Sequence, residues 1–387
     1  MSRLNLLMLN YEFPPIGGGA ANAHLCLLKQ YAANSELRVD VLTSAPEPGF
    51  FLEKFSENIT IYKVGLHKKD LQFWRKTEVI EWLVKAHFSY RKLLRENDYD
   101  LAHAFFGFPT AWLCYRSADK LPYIISLRGS DVPGRHARLQ LDYKILAPVF
   151  RAIWKKAAVL VACSEGLKNR ALNFLPTVTI GVIPNGVDLD RFRPADTAER
   201  SVLQLLTVGR LSVTKRVELL IEAVHELYKD GRNVHFTVIG GGQLEQKLRQ
   251  IVRDKNLSDI IEISGIIEAE KMPQVYQQND IFISASMQEG MSNAMLEAMA
   301  CGLPIVTTRC EGVEELIKDN GIVVEKAQAE QIAKAIKDLA DDKQAYRKMS
   351  AAARKQAEKF GWLQVAERYL SCYSKIVNSA RTNELKQ

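Results

Sequence analysis

Short apolar runs alternate with helix-like segments along nearly the whole chain, and this alternation constrains the fold more than any other feature. LNLLML (4–9), VDVLT (39–43) and YIISL (123–127) have the length and continuous hydrophobicity of strands buried on both faces. AVLVACS (158–164), LQLLTVG (203–209), VHFTVIG (234–240), IEISG (261–265), DIFISAS (280–286) and LPIVTT (303–308) follow the same pattern. Between many of them lie segments with helical spacing, such as VELLIEAVHELYKD (217–230). Strand and helix in alternation predict an α/β protein with parallel sheets.

A chain of 387 residues exceeds what one core usually serves, so two domains are expected. The best boundary is VIPNGVDLDRFRP (182–194), which gathers Pro184, Asn185-Gly186, Asp188 and Pro194 into one turn-rich stretch. The expected division is 1–182 and 183–362, each Rossmann-like, followed by 363–387. That last piece reads as an amphipathic helix from Leu363 to Val377 and a polar, frayed tail, RTNELKQ.

No apolar run reaches the ~18 residues of a membrane span. The longest, Leu101 to Tyr115, is broken by His103, Gly107 and Pro109. The opening MSRLNLLMLNYEFPP reads as a first strand and not as an export signal. Six scattered cysteines form no CxxC pair, which predicts reduced thiols in a cytoplasmic protein. Charge is uneven. Up to Asn185, 24 Lys and Arg oppose 16 Asp and Glu; from Gly186 onward 28 oppose 29. The basic half also mixes cations with aromatics, in HKKDLQFWRK (67–76) and FRAIWKK (150–156). Two readings stay open there: a solvated basic surface, or attraction to an anionic bilayer or phosphate-linked acceptor. Nucleic acid is disfavoured, because no recognition motif accompanies the charge.

Three glycine-rich or cationic loops follow predicted strands. In YEFPPIGGGAANAHLCLLK, Gly17-Gly18-Gly19 precede a helical run, where bare amides and the helix dipole suit a pyrophosphate or sugar. Two prolines intervene and a third spaced glycine is missing, so the dinucleotide fingerprint is not met. In VGRLSVTKR, Arg210 and Lys215 lie between a strand end and a helix start, placed to converge on a diphosphate. In VIGGGQLEQKL, Gly240-Gly241-Gly242 would let a ligand approach the backbone. Singly, each pattern is common.

ISASMQEGMSNAMLEAMACGLPIVTT carries more. Glu289 and Gly290 form a turn, and Ser292 is an N-cap for a helix from Asn293 to Ala300. Gly302 stops that helix and Pro304 opens the next strand. Amides from Met291 to Ala294 would face a phosphate. Glu297 lies a turn further in, with its side chain leaning back toward the N-terminus. Carboxylates accept bidentate hydrogen bonds from vicinal hydroxyls of ribose or hexose.

With these pieces in order, the chain resembles the family-4 retaining glycosyltransferases of the GT-B fold. The matching stretches are PPIGGG, IPNGVD, GRLSVTK, VIGGG, SGIIEAEKMPQVYQQNDIFISAS and EGMSNAMLEAMACGLPIV. The resemblance implies two Rossmann-like domains facing each other across a cleft, with the final helix crossing back onto the first. It implies Gly18 and Gly19 against the donor phosphate, Arg210 and Lys215 on the departing diphosphate, and Glu289 on the donor sugar. Gly290, Met291, Ser292 and Asn293 would line the phosphates, Glu297 would take the ribose, and Gly241 and Ile266 would flank the base. One departure stands out. Where many members carry a histidine in a HGSD-like segment, this chain reads SLRGSDVPG, with Arg128 at that position. Arg128 and Asp131 become candidates on the acceptor side, and His103 in LAHAFFGFP the alternative catalytic histidine.

The activity implied is transfer of a hexose from a UDP- or GDP-sugar to an acceptor hydroxyl with retention, in surface polysaccharide or glycolipid synthesis. Saccharide or lipid-linked saccharide is the expected acceptor, with peripheral contact at the inner face of an anionic membrane. No cofactor or metal is expected; Asp188-Leu189-Asp190 sits in the linker turn, where local hydrogen bonding accounts for Asp. Two alternatives stay open: a nucleotide-sugar 2-epimerase on a similar scaffold, and a non-catalytic nucleotide-sugar-binding partner in polysaccharide assembly.

Overall fold

The computed structural model describes residues 3–71, 73–134, 140–195, 200–287 and 289–384. The chain divides into two compact units, Met1–Asn185 with Trp362–Gln387, and Gly186–Gly361.

The first unit begins β1 (Leu4–Leu9), α1 (Gly19–Ala32), β2 (Leu37–Ala45), β3 (Phe50–Ser56), β4 (Ile59–Gly65), α2 (Lys76–Glu96) and β5 (Leu101–Phe105). It continues α3 (Thr110–Tyr115), β6 (Tyr123–Leu127), α4 (Gln140–Lys156), β7 (Val159–Ala162), α5 (Glu165–Phe174) and β8 (Ile180–Val182). Its strands pair in the order β3-β4-β2-β1-β5-β6-β7-β8. All neighbours are parallel except β3 with β4. That antiparallel hairpin departs from the parallel pattern expected. β3 reads FFLEKFS and is exposed from Phe50 to Lys54. An edge strand wet on both faces carries no alternation, so hydrophobic patterning passes over it. Asn58 in the hairpin turn is buried and donates from Nδ2 to Tyr31 O and Asn34 O, each at 2.9 Å, which ties the hairpin to the end of α1.

The apolar run 101–115 is two elements. β5 ends at Phe105, Phe106 takes φ of 76°, and α3 starts at Thr110. His103, on β5, is fully buried. Its Nδ1 meets Tyr373 Oη at 2.7 Å and its Nε2 meets Ser126 Oγ at 2.7 Å. Tyr31 Oη donates to Tyr373 Oη at 3.1 Å, and Ser126 Oγ meets Tyr369 Oη at 2.9 Å.

The second unit contains β9 (Leu203–Val208), α6 (Val217–Lys229), β10 (Val234–Ile239), α7 (Glu245–Asp254), β11 (Ile261–Gly265), α8 (Met272–Gln277) and β12 (Ile281–Ser284). It closes with α9 (Asn293–Ala300), β13 (Ile305–Thr308), α10 (Val313–Leu316), β14 (Gly321–Val324), α11 (Ala329–Asp341) and α12 (Lys343–Ala357). All six strands are parallel, in the order β11-β10-β9-β12-β13-β14. Buried Leu205, Phe236, Ile281 and Val306 from the sheet pack with Leu220, Ile221 and Val224 of α6 and with Ile332 and Ile336 of α11. The i, i+1, i+4 spacing on α6 places its three on one face.

The last helix, α13 (Trp362–Glu384), belongs to the first unit and packs against α1. It carries Tyr369 and Tyr373, so the buried chain of hydrogen bonds through His103 joins α1, β5, β6 and α13. The tail expected to fray is helical to Glu384, and residues 385–387 lie outside the described residues. Tyr373→Phe removes the hydroxyl between Tyr31 and His103 and leaves a buried ring nitrogen with one partner fewer. It is expected to lower stability by about 1–3 kcal/mol, seen as a shifted midpoint in urea unfolding followed by circular dichroism.

Candidate active site

In the second unit the chain runs outward from β9 in one direction to β11, then returns to continue from β12 on the other side. A parallel sheet binds ligands where its strand order reverses, at the carboxyl ends of the strands. Here that point lies between β9 and β12. β9 pairs with β10 over six residues, from Leu203↔Val234 to Val208↔Ile239. With β12 it makes only two pairs, Leu205↔Ile281 and Leu206↔Phe282. Beyond Phe282 the strands part, leaving an open crevice that includes Thr207, Gly209, Arg210, Lys215, Ser284 and Ser292 in its lining.

Two stitches hold the loops across this gap. Met287 N donates to Thr214 O at 2.8 Å. Arg216, in the left-handed region at φ 48°, donates from Nε to Ala285 O at 2.6 Å and from Nη2 to Thr308 Oγ1 at 3.0 Å. Its burial pulls the guanidinium pKa down. Arg216 is absent from the sequence-based candidates. In TKRVELL it is one more cation beside Lys215, and no periodicity sets it apart.

The stitches bring Lys215 and Glu289 together. Their side chains form an ion pair, Lys215 Nζ to Glu289 Oε1, across 74 residues of sequence. A Cβ on Gly209 would lie 3.3 Å from Lys215 Cε, so that glycine leaves room for the lysine stem. Arg210 is exposed, and its guanidinium makes no hydrogen bond or ion pair among the described residues.

The Gly240–Gly242 loop is shaped by backbone contact. A Cβ on Gly240 would sit 1.9 Å from Gly209 O, and one on Gly242 would sit 2.5 Å from Leu211 O. Both have positive φ, and Leu211 N donates to Gly241 O at 2.9 Å. These two glycines are required by the approach of one loop to another, a reason internal to the fold. Gly241 itself adjoins Ile266, whose Cδ1 would lie 3.1 Å from an added Cβ. Ile266 is 68% exposed, a large apolar side chain standing beside bare backbone.

On the other side of the crevice, Ser292 Oγ accepts from Met295 N at 3.3 Å and caps α9. Gly290, Met291 and Asn293 flank it, at the end of the helix where the dipole is positive. Glu297 is half-buried, and Tyr276 Oη donates to its Oε2 at 2.8 Å. Burial pushes the Glu297 carboxyl up to about 7, against the opposing pull of Tyr276 and Arg191. Asp188, from the D-x-D string, accepts from Arg191 N at 3.0 Å within its own turn.

The remaining candidates belong to the first unit. Gly18 caps α1 and Gly19 opens it, after a loop in which Gly17 N donates to Leu71 O at 2.7 Å. Arg128 is half-buried over the Phe105 ring at 4.4 Å, and its Nη1 donates to Asn185 Oδ1 at 2.8 Å. Asp131 is buried and accepts from Gly107 N at 2.6 Å and from Arg128 N and Gly129 N at 2.9 Å each. Its carboxylate therefore orders the loop that carries Arg128. His103, expected as a catalytic candidate, has both ring nitrogens engaged in the interior. Burial and the nearby Arg128 charge hold its pKa well below the usual range. It is a core residue of the first unit.

Comparison with solved structures identifies the architecture. The chain superposes on sucrose-phosphate synthase from Thermosynechococcus elongatus with a TM-score of 0.83, covering 97% of this chain and 100% of the other at 19% identity. It superposes on HepE of Anabaena, solved in complex with UDP and glucose, with a TM-score of 0.71, 96% and 99% coverage and 17% identity. At these identities the likeness establishes the fold, which is that of the GT-B transferases. The profile for glycosyl transferases group 1 matches residues 190–356, and that for glycosyltransferase family 4 matches residues 17–191. Alpha-D-kanosaminyltransferase of Streptomyces kanamyceticus is 30% identical over 276 residues, 66% of this chain and 71% of that protein. A phosphatidylinositol N-acetylglucosaminyltransferase subunit from Arabidopsis thaliana is 26% identical over 348 residues, 86% and 74%. The chain belongs to the group 1 glycosyltransferases and is a transferase enzyme.

The raised Glu297 pKa has a consequence for stability. A carboxyl that binds its proton more tightly when folded destabilises the fold once pH exceeds its unfolded value of 4.5. That penalty grows up to about pH 7. Glu297→Gln is therefore expected to be more stable than wild type at pH 8, by about 3 kcal/mol, and to converge with it below pH 4.5. Differential scanning calorimetry at the two pH values checks this.

Proposed function

We propose that this glycosyltransferase moves a hexose-type sugar from a nucleoside diphosphate sugar to an acceptor hydroxyl with retention at the anomeric carbon. The observation that carries the proposal is the meeting of Lys215 and Glu289 at the switch-point crevice, beside the N-terminus of α9 and the unengaged Arg210. A diphosphate needs converging positive charge, which Lys215, Arg210 and the first-turn amides of α9 supply. A sugar needs a bidentate acceptor, which Glu289 supplies. Its ion pair with Lys215 keeps both groups at the crevice before donor enters. Glu297, in its ionised form, takes the ribose hydroxyls, and Ile266 beside Gly241 offers a flat apolar surface for the base.

The barrier is departure of the leaving group from an oxocarbenium-like centre. Fixed positive groups aimed at the developing diphosphate charge lower it without reorganising. The bond from the anomeric carbon to the phosphate oxygen breaks as the acceptor oxygen bonds on the same face. The acceptor proton passes to the departing phosphate oxygen, so no protein nucleophile is required. In the first unit, Arg128, on the loop that Asp131 orders, is our candidate for an anionic or polar group of the acceptor. The relatives suggest a saccharide or lipid-linked acceptor in polysaccharide or glycolipid synthesis.

Lys215→Ala and Glu289→Gln are each expected to lower turnover by at least about 100-fold, on the scale of losing one preorganised electrostatic contact. A panel of UDP-, GDP- and ADP-sugars, scored by thermal shift and by nucleotide release with and without saccharide acceptor, identifies the donor. Near wild-type turnover in both variants would overturn the site assignment, and conversion of donor to an epimer without acceptor would overturn the reaction.

A further inference from the structure

The first unit carries an outer face that transfer chemistry does not explain. α2 buries Trp82, Ala86, Tyr90 and Leu93 against the rest of the unit. Its opposite side should be polar, yet Ile80, Val84 and Phe88 are 61%, 54% and 69% exposed. At four-residue intervals they form one ridge on a helix about 30 Å long. α4 repeats the arrangement, with Leu141 and Ile145 exposed by 69% and 66%. The two helices flank α3, which packs on both, and Lys76 Nζ of α2 meets the Asp142 carboxylate of α4 at 2.8 Å. The ridges therefore belong to one surface.

Charge on that surface is one-sided. The carboxylates of α2 and α4 are each ion-paired: Glu78 with Lys68, Glu81 with Lys85, Glu96 with Lys92, and Asp142 with Lys76. Arg91, Arg95, Lys144 and Lys155 are exposed and have no carboxylate partner among the described residues. Arg91 and Arg95 continue the exposed face of α2 just past Phe88. Large apolar side chains standing proud on a helix, flanked by unpaired cations, have the composition of a segment that lies in a bilayer interface. A soluble monomer rarely leaves such a face to water. None of the described helices is long and apolar enough to cross a membrane, so contact here would be lateral.

We propose that α2 and α4 form a docking face for an anionic lipid bilayer, with Ile80, Val84, Phe88, Leu141 and Ile145 entering the interface and the unpaired cations meeting lipid phosphates. This gives a physical place to the membrane-proximal acceptor suggested above but does not depend on the donor chemistry. Its failure would leave the transfer reaction standing.

The test is co-sedimentation of the full chain with phosphatidylcholine vesicles, alone or containing phosphatidylglycerol. Binding is expected only with the anionic lipid and is expected to weaken as salt rises. Ile80→Ser with Phe88→Ser on α2, Ile145→Ser on α4, and Arg91→Glu with Arg95→Glu are separate variants of exposed positions. Each is expected to melt like wild type, to keep nucleotide-sugar binding, and to weaken vesicle binding at least tenfold. Absence of binding to anionic vesicles at low salt would overturn the proposal, as would equal binding by the α2 and charge variants. Elution of the wild type as a dimer that the Ile80→Ser, Phe88→Ser variant dissociates would overturn it too, since a second copy would then cover the face.

Discussion

β9 is shared unequally between its two neighbours, and the candidate active site depends on that inequality. Six residue pairs bind it to β10 and two bind it to β12. Full pairing on one side brings the β9 and β10 loops so close that glycine is required at positions 240 and 242. Short pairing on the other side lets the strands diverge and opens the crevice. An opened sheet would lose definition without cross-links, and Arg216 with the Thr214–Met287 bond supplies them. Lys215 sits next to one cross-link and Glu289 follows the other, so their ion pair is a consequence of how the gap is spanned.

The first unit solves a different problem. Its final helix arrives from the far end of the chain, and nothing local holds it. A chain of buried hydroxyls and one imidazole, from Tyr31 through Tyr373, His103 and Ser126 to Tyr369, joins α13 to α1, β5 and β6. Buried polar groups are costly unless satisfied, so such a chain admits few alternative seatings of the helix. The same requirement explains Asp131, whose carboxylate collects three backbone amides and shapes the loop that presents Arg128.

Much of this was legible in the sequence because burial imposes a pattern. Strands covered on both faces read as unbroken apolar runs, and β1, β2, β6, β7 and all of the second unit except β14 could be placed that way. Glycine, serine and proline marked the cap and stop of α9 by their backbone chemistry alone. The β3–β4 hairpin was not legible, since β3 is exposed along most of its length and obeys no hydrophobic period. His103 was misleading for the complementary reason: an imidazole in an apolar run signals chemistry and a satisfied core residue equally well.

The amino-acid sequence by itself determined the α/β class, the parallel character of the sheets and the residue types gathered in the loops after β9, β10 and β12. Those follow from burial period and local backbone preference, which are properties of short stretches. Only the tertiary structure decided that Lys215 meets Glu289, that Gly240 and Gly242 answer to a neighbouring loop, that Arg216 is a cross-link, and that His103 belongs to the interior. Each of those depends on which segments distant in sequence the strand order sets side by side, and no local pattern records strand order.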